Sequence, residues 1–422
     1  MRIPSLVAFA AVALSVALTF RVATQREATE REAAEPEVAV GMPAVPPAGA
    51  NADGELAADR NAELEALGYA AFDRVEEGDR RKSGVVVLDA ARVSPGLNVV
   101  FPEFGCERVE FLDAKGRAVR SLDVSALPKE ECYSLKPIGD DYLFLGRPNL
   151  FRIDRSGKVV WKLTEGFSFH HDFGVGLDRI VALDRRTLRP GIDDVTGEVN
   201  DHRLVVIGPG GRVWSIVSLH DVFWDVLRRR AAARSVDPFS PEAIEALGMD
   251  GPGDFYHANS VQVLERDTAI GRAGDVLLSL RTLDRVVVLD PKTGVVRWQW
   301  GDGILDHPHH PTLLPNGHLL VFDNGWHRGW SRVVEIDPVS SAIVWEYRAT
   351  APDTFFTKRR GAAYRLANGN TLITESDRGH AFEVTPDGAK VWEYWMPPSQ
   401  HADQMLRATL FRVARIEEAR AS

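Results

Sequence analysis

The sequence of 422 residues predicts an all-β protein, a six-bladed β-propeller with an N-terminal membrane-anchor or signal segment and a helical insertion. Three observations carry this prediction. One hairpin-like phrase occurs six times, most copies begin about 40–50 residues apart, and a tryptophan recurs at one phase of the phrase. Repeats of this length, built of short strands, are typical of propeller blades.

Each copy of the phrase consists of an apolar run, a turn with Asp or Gly, and a second apolar run, which predicts a strand, a turn and a strand. The copies span residues 109–124, 150–163, 204–217, 286–300, 333–347 and 381–395. A second hairpin phrase precedes each copy, most clearly LLPNGHLLVFD (313–323) and RLANGNTLITES (365–376), so four strands per blade are predicted. We expect the recurring tryptophans to pack between blades; they are Trp161, Trp214, Trp298, Trp345 and Trp392.

The propeller is predicted over residues 66–400. The segment GVVVLDA (84–90) precedes the first complete unit, and we expect it to pair into the last blade, since a circular fold must hide its sheet edges. An insertion at about 220–255 has helical patterning, and it can be a lid over the channel or a peripheral packing helix. Residues 401–422 predict a helical tail outside the blades.

The N-terminal segment from Ile3 to Phe20 has 18 residues and no charge. This length lies between that of a signal-peptide core and that of a membrane span. We expect residues 1–22 to form an uncleaved anchor, with a cleaved signal peptide as the alternative. Residues 23–65, rich in Ala, Glu and Pro, predict a flexible tether. The chain is therefore expected to be exported, periplasmic or extracellular, and anchored to the membrane by its N-terminal helix.

The charge of the chain limits its partners. A net charge of −10 and an isoelectric point near 5.7 argue against a nucleic-acid partner. An anionic ligand would need a local cluster of cations. The two cysteines, Cys106 and Cys132, can form a disulfide in an exported chain or stay as two separate buried thiols. Without a CxxC motif they exclude a zinc-finger type of metal site.

Histidines stand at one equivalent place in three blades, just before the first hairpin of the unit. They are His170 and His171 of FHHDF, His257 of FYHANS, and His307, His309 and His310 of DHPHHP; Arg359 and Arg360 hold this place in the last unit. The innermost strands of a propeller line its channel, so these side chains are expected to converge. Arg281 ends an apolar strand, where it needs an anionic partner, either an inter-blade carboxylate or a ligand.

Three kinds of site are compatible with converging histidines. They can bind a metal such as Zn or Fe, they can handle a transferred group with many oxygens, or they can form a polar plug in a binding scaffold. Arg281 favours an anion, because its charge opposes a divalent ion. In an extended strand His257 and Asn259 share a face, which suits joint contact with one group. We therefore predict neither a metal nor a cofactor.

Five phrases resemble the bacterial arylsulfate sulfotransferase family. They are FHHDF, DFYHANSV, SLRTLDRVVVLD, HHPTLLPNGHLLVFDNG and ANGNTLITESDRGHAFEVTPDGAKVWEYW. The resemblance covers roughly Leu67 to Pro398. It implies a six-bladed propeller that moves a sulfuryl group from a phenolic sulfate donor to a phenolic acceptor, without a nucleotide sulfate donor. The group is expected to pass through a sulfated histidine, which gives ping-pong kinetics.

The resemblance also implies the nucleophile. His309 stands six residues before Pro315 of the LPNG turn, which is the place of the family's nucleophilic histidine. In an extended strand His307 and His309 share one face and His310 points the other way. His309 is therefore favoured, and His310 is the alternative.

Four further roles follow from the resemblance. The family's HxN pair matches His257 and Asn259, its strand-end arginine matches Arg281, and its histidine in the HHD phrase matches His171 rather than His170. His257, Arg281 and Asn259 would donate to the sulfuryl oxygens. His171 or His257 would give a proton to the departing phenol.

Two other functions stay open. The first is an exported propeller that binds a ligand or a partner protein without catalysis. The second is a metal- or quinone-dependent oxidoreductase, since VVVLDPKTGVVRWQW (286–300) is similar to a quinoprotein repeat. Only this one of the six copies keeps the Thr-Gly pair, which disfavours the oxidoreductase.

Overall fold

The computed structural model describes residues 72–102, 106–188, 197–401 and 404–416. The expected anchor (1–22) and tether (23–65) lie outside these residues. Among the helices that are described, none combines the length and the apolar character that crossing a membrane requires. The described chain is mostly β, as predicted.

Strands β1 to β5 open the described chain. They are β1 (Phe72–Arg74), β2 (Gly84–Leu88), β3 (Leu97–Pro102), β4 (Arg108–Leu112) and β5 (Ala118–Asp123). The second sheet comprises β6 (Glu131–Ile138), β7 (Asp141–Arg147), β8 (Asn149–Ile153) and β9 (Val159–Leu163). The third comprises β10 (Phe169–Gly176), β11 (Arg179–Leu188), β12 (Val199–Ile207) and β13 (Val213–Ser218).

The remaining sheets follow in the same order. The fourth comprises β14 (Ala258–Val263), β15 (Val276–Leu280), β16 (Arg285–Leu289) and β17 (Val296–Trp300). The fifth comprises β18 (Pro308–Leu313), β19 (Leu319–Asp323), β20 (Arg332–Asp337) and β21 (Ala342–Tyr347). The sixth comprises β22 (Ala362–Arg365), β23 (Thr371–Glu375), β24 (His380–Val384) and β25 (Lys390–Trp395). The last strands are β26 (Pro398–His401), β27 (Gln404–Ala408) and β28 (Leu410–Ile416).

The sheets follow one another in a closed cycle. Within each sheet, sequential strands pair antiparallel, from an innermost to an outermost strand. The innermost strands contact one another in the order β28, β6, β10, β14, β18, β22 and again β28. Middle strands such as β15 (VLLSL) and β19 (LLVFD) are buried along their whole length, whereas the outer strand β21 is largely exposed and β17 is partly exposed. This arrangement is β-propeller-like, with sheets packed face to face around a centre.

Both ends of the described chain close the cycle. Strand β28 pairs with β3 and forms the innermost strand of the first sheet, with Val413 opposite Val100. Strand β2 pairs with β25 as a fifth, outermost strand of the sixth sheet, which is the pairing expected for residues 84–90. A small separate sheet has the order β1-β27-β26.

The predicted helical tail at 401–422 is wrong for its described part, which forms β26 to β28. The residues of LFRVARI allow a helix locally. However, β3 offers an unpaired edge, and pairing with it buries Leu410 and Val413 completely. Tertiary pairing therefore overrides local preference.

The predicted insertion is helical. Helix α1 (Leu219–Ala233) begins after Ser218, whose side chain accepts a hydrogen bond from the Asp221 backbone N–H. Helix α2 (Pro241–Leu247) ends at Gly248, whose φ of 67° is left-handed. Their buried faces join the apolar cluster of the third and fourth sheets. The helices are thus packing elements, and the segment after α2 extends toward the centre.

Two kinds of contact link neighbouring sheets. Cys106 and Cys132 form a disulfide that joins the segment before β4 to β6. Three of the recurring tryptophans donate their indole N–H to a carbonyl in the next sheet's turn: Trp161 to Pro209, Trp345 to Pro386, and Trp392 to Ala114. Trp214 departs from the expected packing, because half of its surface is exposed.

Closure by β28 predicts a large effect of Leu410→Ala. Removing a fully buried leucine at this place should lower the free energy of unfolding by about 2–5 kcal/mol. The exposed Val339→Ala is the matched control and should change it by less than about 0.5 kcal/mol. Equilibrium urea unfolding measures both; similar small effects would contradict the role of β28.

Candidate functional site

A recess of about 330 Å³, including its open mouth, lies at one end of the ring of innermost strands. All six sheets and the insertion contribute to its lining. The lining residues are Tyr133, His171, Asp250, His257, Arg281, His309, Arg359, Arg360 and Phe411. Of the five residues to which the sequence assigned a chemical role, four are brought together here, and Asn259 is not.

The strands that carry these side chains enter the centre through strained backbone. His171, His257, His310 and Arg360 have φ values of 58°, 40°, 48° and 61°. Residues other than glycine seldom adopt this left-handed conformation, and where they do, they cluster at functional sites. The pairing register also shifts near the start of β10, β14 and β18. These irregularities turn successive side chains away from strict alternation and toward the recess.

Carboxylates on the second strands of three sheets hold the chain that leads into the innermost strands. Asp184 accepts a hydrogen bond from the Ser168 backbone N–H at 2.5 Å, Asp323 from Asp306 at 2.8 Å, and Glu375 from Phe356 at 3.1 Å. Each carboxylate also contacts a basic side chain opposite it on the third strand; these are Arg203, Arg332 and His380. The same device therefore positions three different entry segments.

His309 has a defined tautomer. Its Nδ1 lies 2.7 Å from Asn324 Oδ1. The Asn324 amide is oriented because its Nδ2 donates to the carbonyls of Thr357 and Arg360, at 2.9 and 2.6 Å. Oδ1 can only accept, so His309 Nδ1 carries the proton and Nε2 has a free lone pair. Burial, and then the positive charge of Arg281, hold the pKa of His309 well below its usual range. His309 is thus neutral.

The structure separates His309 from its neighbours. His310 lies outside the recess, against the Tyr364 ring at 4.4 Å, with its Nδ1 3.0 Å from the Ala363 carbonyl oxygen. Burial lowers the pKa of His310 to about 3. His307 also lies apart, stacked on Trp326, with Nε2 2.8 Å from the Gly248 carbonyl oxygen. Of the three histidines in DHPHHP, only His309 lines the recess.

His257 is held by carboxylates. Its Nδ1 is 2.5 Å from Asp254 Oδ2 and 3.5 Å from Asp250 Oδ2. Burial by itself raises the pKa of Asp254, but its interactions with His257 and His202 outweigh burial and hold that pKa well below its usual value. Asp254 is therefore ionised. It engages Nδ1 of His257 and fixes the ring, so Nε2 is the nitrogen that is available to a ligand.

His171 sits between aromatic rings. It stacks on Tyr133 at 5.5 Å and meets the edge of His257 at 5.0 Å. Its Nδ1 is 2.5 Å from Nδ1 of His170, so one of the two rings donates to the other. Burial, and then the positive potential of His170 and His257, hold the pKa of His171 well below its usual range. His171 is a neutral group that can donate or accept a proton.

Arg281 is fully buried at the recess. Its Nη2 is 3.1 Å from Asp250 Oδ1, its Nη1 donates to the Gly248 carbonyl at 3.3 Å, and its guanidinium lies 4.9 Å from the centre of the Trp326 ring. Nε has no hydrogen-bond partner among the described residues. The anionic partner that the sequence required is therefore Asp250, from the segment after α2.

Asn259 does not line the recess. The expected shared face with His257 does not form, because His257 has a left-handed φ and the register shifts between Ala258 and Ser260. The Asn259 amide donates to the Pro308 carbonyl at 3.0 Å instead of lining the recess. It ties β14 to the strand that carries His309, which is a positioning contact.

Several site residues had no role in the sequence analysis. Asp250 and Asp254 lie in GMDGPGD directly before His257, and their closeness to that histidine was the available signal. Asn324 follows β19 in FDNG, with no pattern that marks it. Tyr133 and Phe411 contribute aromatic surface to the recess, and they are far apart in sequence.

Within the described parts of the chain, two groups of side chains have the composition of a metal site. One is Asp250, Asp254 and His257, and the other is Asp306, His307 and His327. In the first group, guanidinium nitrogens of Arg281 and Arg359 lie 3.1 and 3.4 Å from Asp250 and oppose a dication. In the second group, Asp306 already accepts hydrogen bonds from the backbone N–H groups of His327 and Arg328. The charges around the first group suit an anion better than a metal.

The fold and the site define a β-propeller-like protein with three converging histidines and a buried arginine in one central recess. The sequence pattern of the arylsulfotransferase (ASST) family matches residues 146–396. This span is more than half of the chain, and the chain belongs to that family.

Comparisons with other proteins give weaker similarities. No curated protein matches the chain. A Bacteroides caccae protein of unknown function is 15% identical, with 71% of this chain and 94% of that chain covered and a TM-score of 0.47. An inactive variant of Staphylococcus aureus virginiamycin B lyase with quinupristin is 12% identical, with 80% and 98% covered and a TM-score of 0.43. AztD from Citrobacter koseri is 11% identical, with 77% and 98% covered and a TM-score of 0.40.

The neutral state of His309 predicts a titration shift. Arg281→Met removes a positive charge that disfavours the imidazolium, so the pKa of His309 should rise. Nitrogen-15 NMR titration of the ring measures it, with His309→Gln to assign the signal. The control Arg266→Met, at an exposed contact with Pro315, should leave the titration unchanged. An unchanged pKa in Arg281→Met would contradict the arginine as a cause.

Proposed function

We propose that the chain is a six-bladed propeller that transfers a sulfuryl group from an aryl sulfate to a phenol, without a nucleotide donor, through a sulfohistidine on His309. The observation that carries the proposal is the pairing of a neutral His309, whose Nε2 lone pair is free, with the buried Arg281 in one recess. Family membership supports this class of reaction. The substrates and the mechanism are part of the proposal.

In the first half-reaction, Nε2 of His309 attacks the sulfur of the aryl sulfate. The bond between sulfur and Nε2 forms while the bond between sulfur and the phenolic oxygen breaks. His257 starts with a proton on each ring nitrogen, the one on Nδ1 shared with Asp254. The phenolic oxygen takes the bonding pair and the proton on Nε2 of His257, which leaves that ring neutral. Asn324 keeps the proton on Nδ1 of His309, so the lone pair at Nε2 is available from the start.

In the second half-reaction, an acceptor phenol enters the recess. Its hydroxyl gives a proton to Nε2 of His257, its oxygen attacks the sulfur, and the bond between sulfur and His309 breaks. The lone pair returns to Nε2, and both histidines regain their starting states. Asp254 holds the His257 ring in place during both steps.

The oxygens of the sulfuryl group need donors while their charge redistributes. Arg281, whose Nε is free to donate, and the neutral His171 are the donors that we assign to them. Loss of one preorganised donor typically slows such a reaction by about 10²–10³-fold. Tyr133 and Phe411, with ring centres 4.5 Å apart, offer aromatic surface to the phenolic rings.

The proposal extends to the location of the chain. Export to the periplasm or the extracellular face, with attachment through the N-terminal segment, rests on the uncharged run from Ile3 to Phe20. The disulfide between Cys106 and Cys132 supports an oxidising compartment.

The decisive test uses a chromogenic aryl sulfate with and without a phenol acceptor. We expect release of nitrophenol from 4-nitrophenyl sulfate to be stimulated by phenol, and to persist in a chelator. His309→Ala should lower the rate by at least about 10³-fold, because the attacking atom is lost. The control His318→Asn, in the turn between β18 and β19, should be close to wild type.

Other outcomes of this assay select other functions. No turnover with any aryl sulfate would favour a propeller that only binds ligands or partners. Activity that is lost in chelator and restored by a metal would favour metal-dependent chemistry. Full activity in His309→Ala would overturn the assignment of the nucleophile.

The role of His257 predicts a dependence on the leaving group. His257→Asn should slow transfer from phenyl sulfate by about 10²–10⁴-fold, but transfer from 4-nitrophenyl sulfate much less, since nitrophenolate departs without a proton. Arg281→Lys should instead slow both donors by a similar factor. Rates of the first half-reaction for a series of phenols measure the difference; equal slopes for His257→Asn and wild type would refute a proton donor at this position.

A further inference from the structure

We propose that Asp250 makes the recess selective for esters whose transferred group carries one negative charge, so that sulfate monoesters are accepted and phosphate monoester dianions are rejected. This inference rests on the proposed function, because it names the property by which the same site distinguishes its donors. Nothing in the reaction itself requires a carboxylate beside the nucleophile, and a reason for its presence is needed.

Asp250 lies among the groups that would bind the sulfuryl oxygens. Its Oδ1 is 3.1 Å from Arg281 Nη2 and 3.4 Å from Arg359 Nε, and its Oδ2 is 3.5 Å from His257 Nδ1. The side chain is only 6% exposed. Burial by itself raises the pKa of Asp250, but the charges of Arg281 and His257 outweigh it and lower that pKa. The carboxylate is thus a permanent negative charge next to the anion position.

The segment that carries Asp250 is held in place. The Gly248 carbonyl accepts hydrogen bonds from Arg281 and His307, at 3.3 and 2.8 Å. A Cβ on Gly248 would lie 2.1 Å from His307 Nε2, and φ there is 67°, so the close approach needs glycine. Asp250 follows two residues further on, so these contacts hold its backbone close to the recess.

The charges of the recess leave room for one negative charge. Arg360 and Asp377, 3.4 Å apart, are matched as a pair. In the proposed reaction His257 holds a proton on each ring nitrogen, so its charge is matched by Asp254, which lies 2.5 Å from Nδ1. Two guanidiniums, Arg281 and Arg359, then face the single carboxylate of Asp250.

The lining therefore has a surplus of one positive charge. Lys358 does not add to this surplus, because it is exposed and is not one of the lining residues. An aryl sulfate carries one negative charge, whereas an aryl phosphate above its second pKa of about 6 carries two. A second negative charge would meet Asp250 without a free cation, and like charges this close among buried side chains are strongly unfavourable.

The test measures binding in the absence of turnover. His309→Gln blocks transfer, and calorimetry at pH 8 then gives the affinities for 4-nitrophenyl sulfate and 4-nitrophenyl phosphate. We expect the sulfate to bind at least about tenfold more tightly. Adding Asp250→Asn, which keeps the shape and removes the charge, should reduce this preference by about tenfold, mainly through tighter phosphate binding. Asp302→Asn, at an exposed carboxylate, is the charge-matched control and should leave the preference unchanged.

Each outcome either supports or overturns the selectivity role of Asp250. An unchanged preference in Asp250→Asn would overturn the selectivity role, and so would equal tightening of both esters, which would make Asp250 only a competitor for the anion position. Equal binding of both esters by the parent protein would overturn it without any variant at Asp250. If Asp250→Asn does not fold, Asp250→Ser serves in its place. If neither ester binds any of the proteins, the proposed function fails as well; if both bind and only the preference is absent, the proposed function is untouched.

Discussion

The pairing of β28 with β3 is the contact on which the other features depend. It supplies the innermost strand of the first sheet from the opposite end of the described chain, and the cycle of sheets has no free edge there. The same strand carries Phe411 to the recess and Arg412 to the buried Asp172, which also contacts Lys136. Closure of the fold and assembly of the centre therefore depend on the same strand.

Burial of the histidine side chains is the second condition on which the site depends. Histidines in water are partly protonated near neutral pH, and a protonated ring can neither attack nor accept a proton. Here burial lowers the pKa of His171 and His309, and Arg281 adds to the effect on His309. The cost of burying so many polar groups is offset by contacts that match each of them, such as Asn324 with His309 and Asp254 with His257. The contacts that stabilise the buried histidines therefore also keep them in their reactive form.

The repeat made much of the fold predictable. Strand pairs, their turns, the helical insertion and the pairing of residues 84–90 all follow from patterns of apolar residues and turn residues. The final strand did not follow, because LFRVARI suits a helix until the edge of β3 is present. Trp214 shares the phase of the other tryptophans, but its environment leaves it exposed.

The convergence of His171, His257 and His309 in one recess was predictable, because histidine is scarce in this chain and its place recurs in three sheets. Arg281 was marked by its position at the end of an apolar strand. Asn259 lies outside the recess because alternation assumes regular strands, and the register shift in β14 breaks it. Asp250 and Asn324 were out of reach for another reason. Each acts through one contact with a residue far away in sequence, and no local pattern encodes such a contact.

Asn324 links the protonation state of His309 to the packing of the fifth sheet against the sixth. Its amide is oriented by carbonyls of Thr357 and Arg360, which precede the sixth sheet, although Asn324 itself follows β19 of the fifth. If these two sheets separated briefly, the amide could rotate and present its N–H groups to His309. The ring would then have to move its proton to the other nitrogen, and the attacking lone pair would be lost. The tautomer of the His309 ring thus depends on whether these two neighbouring sheets are packed together.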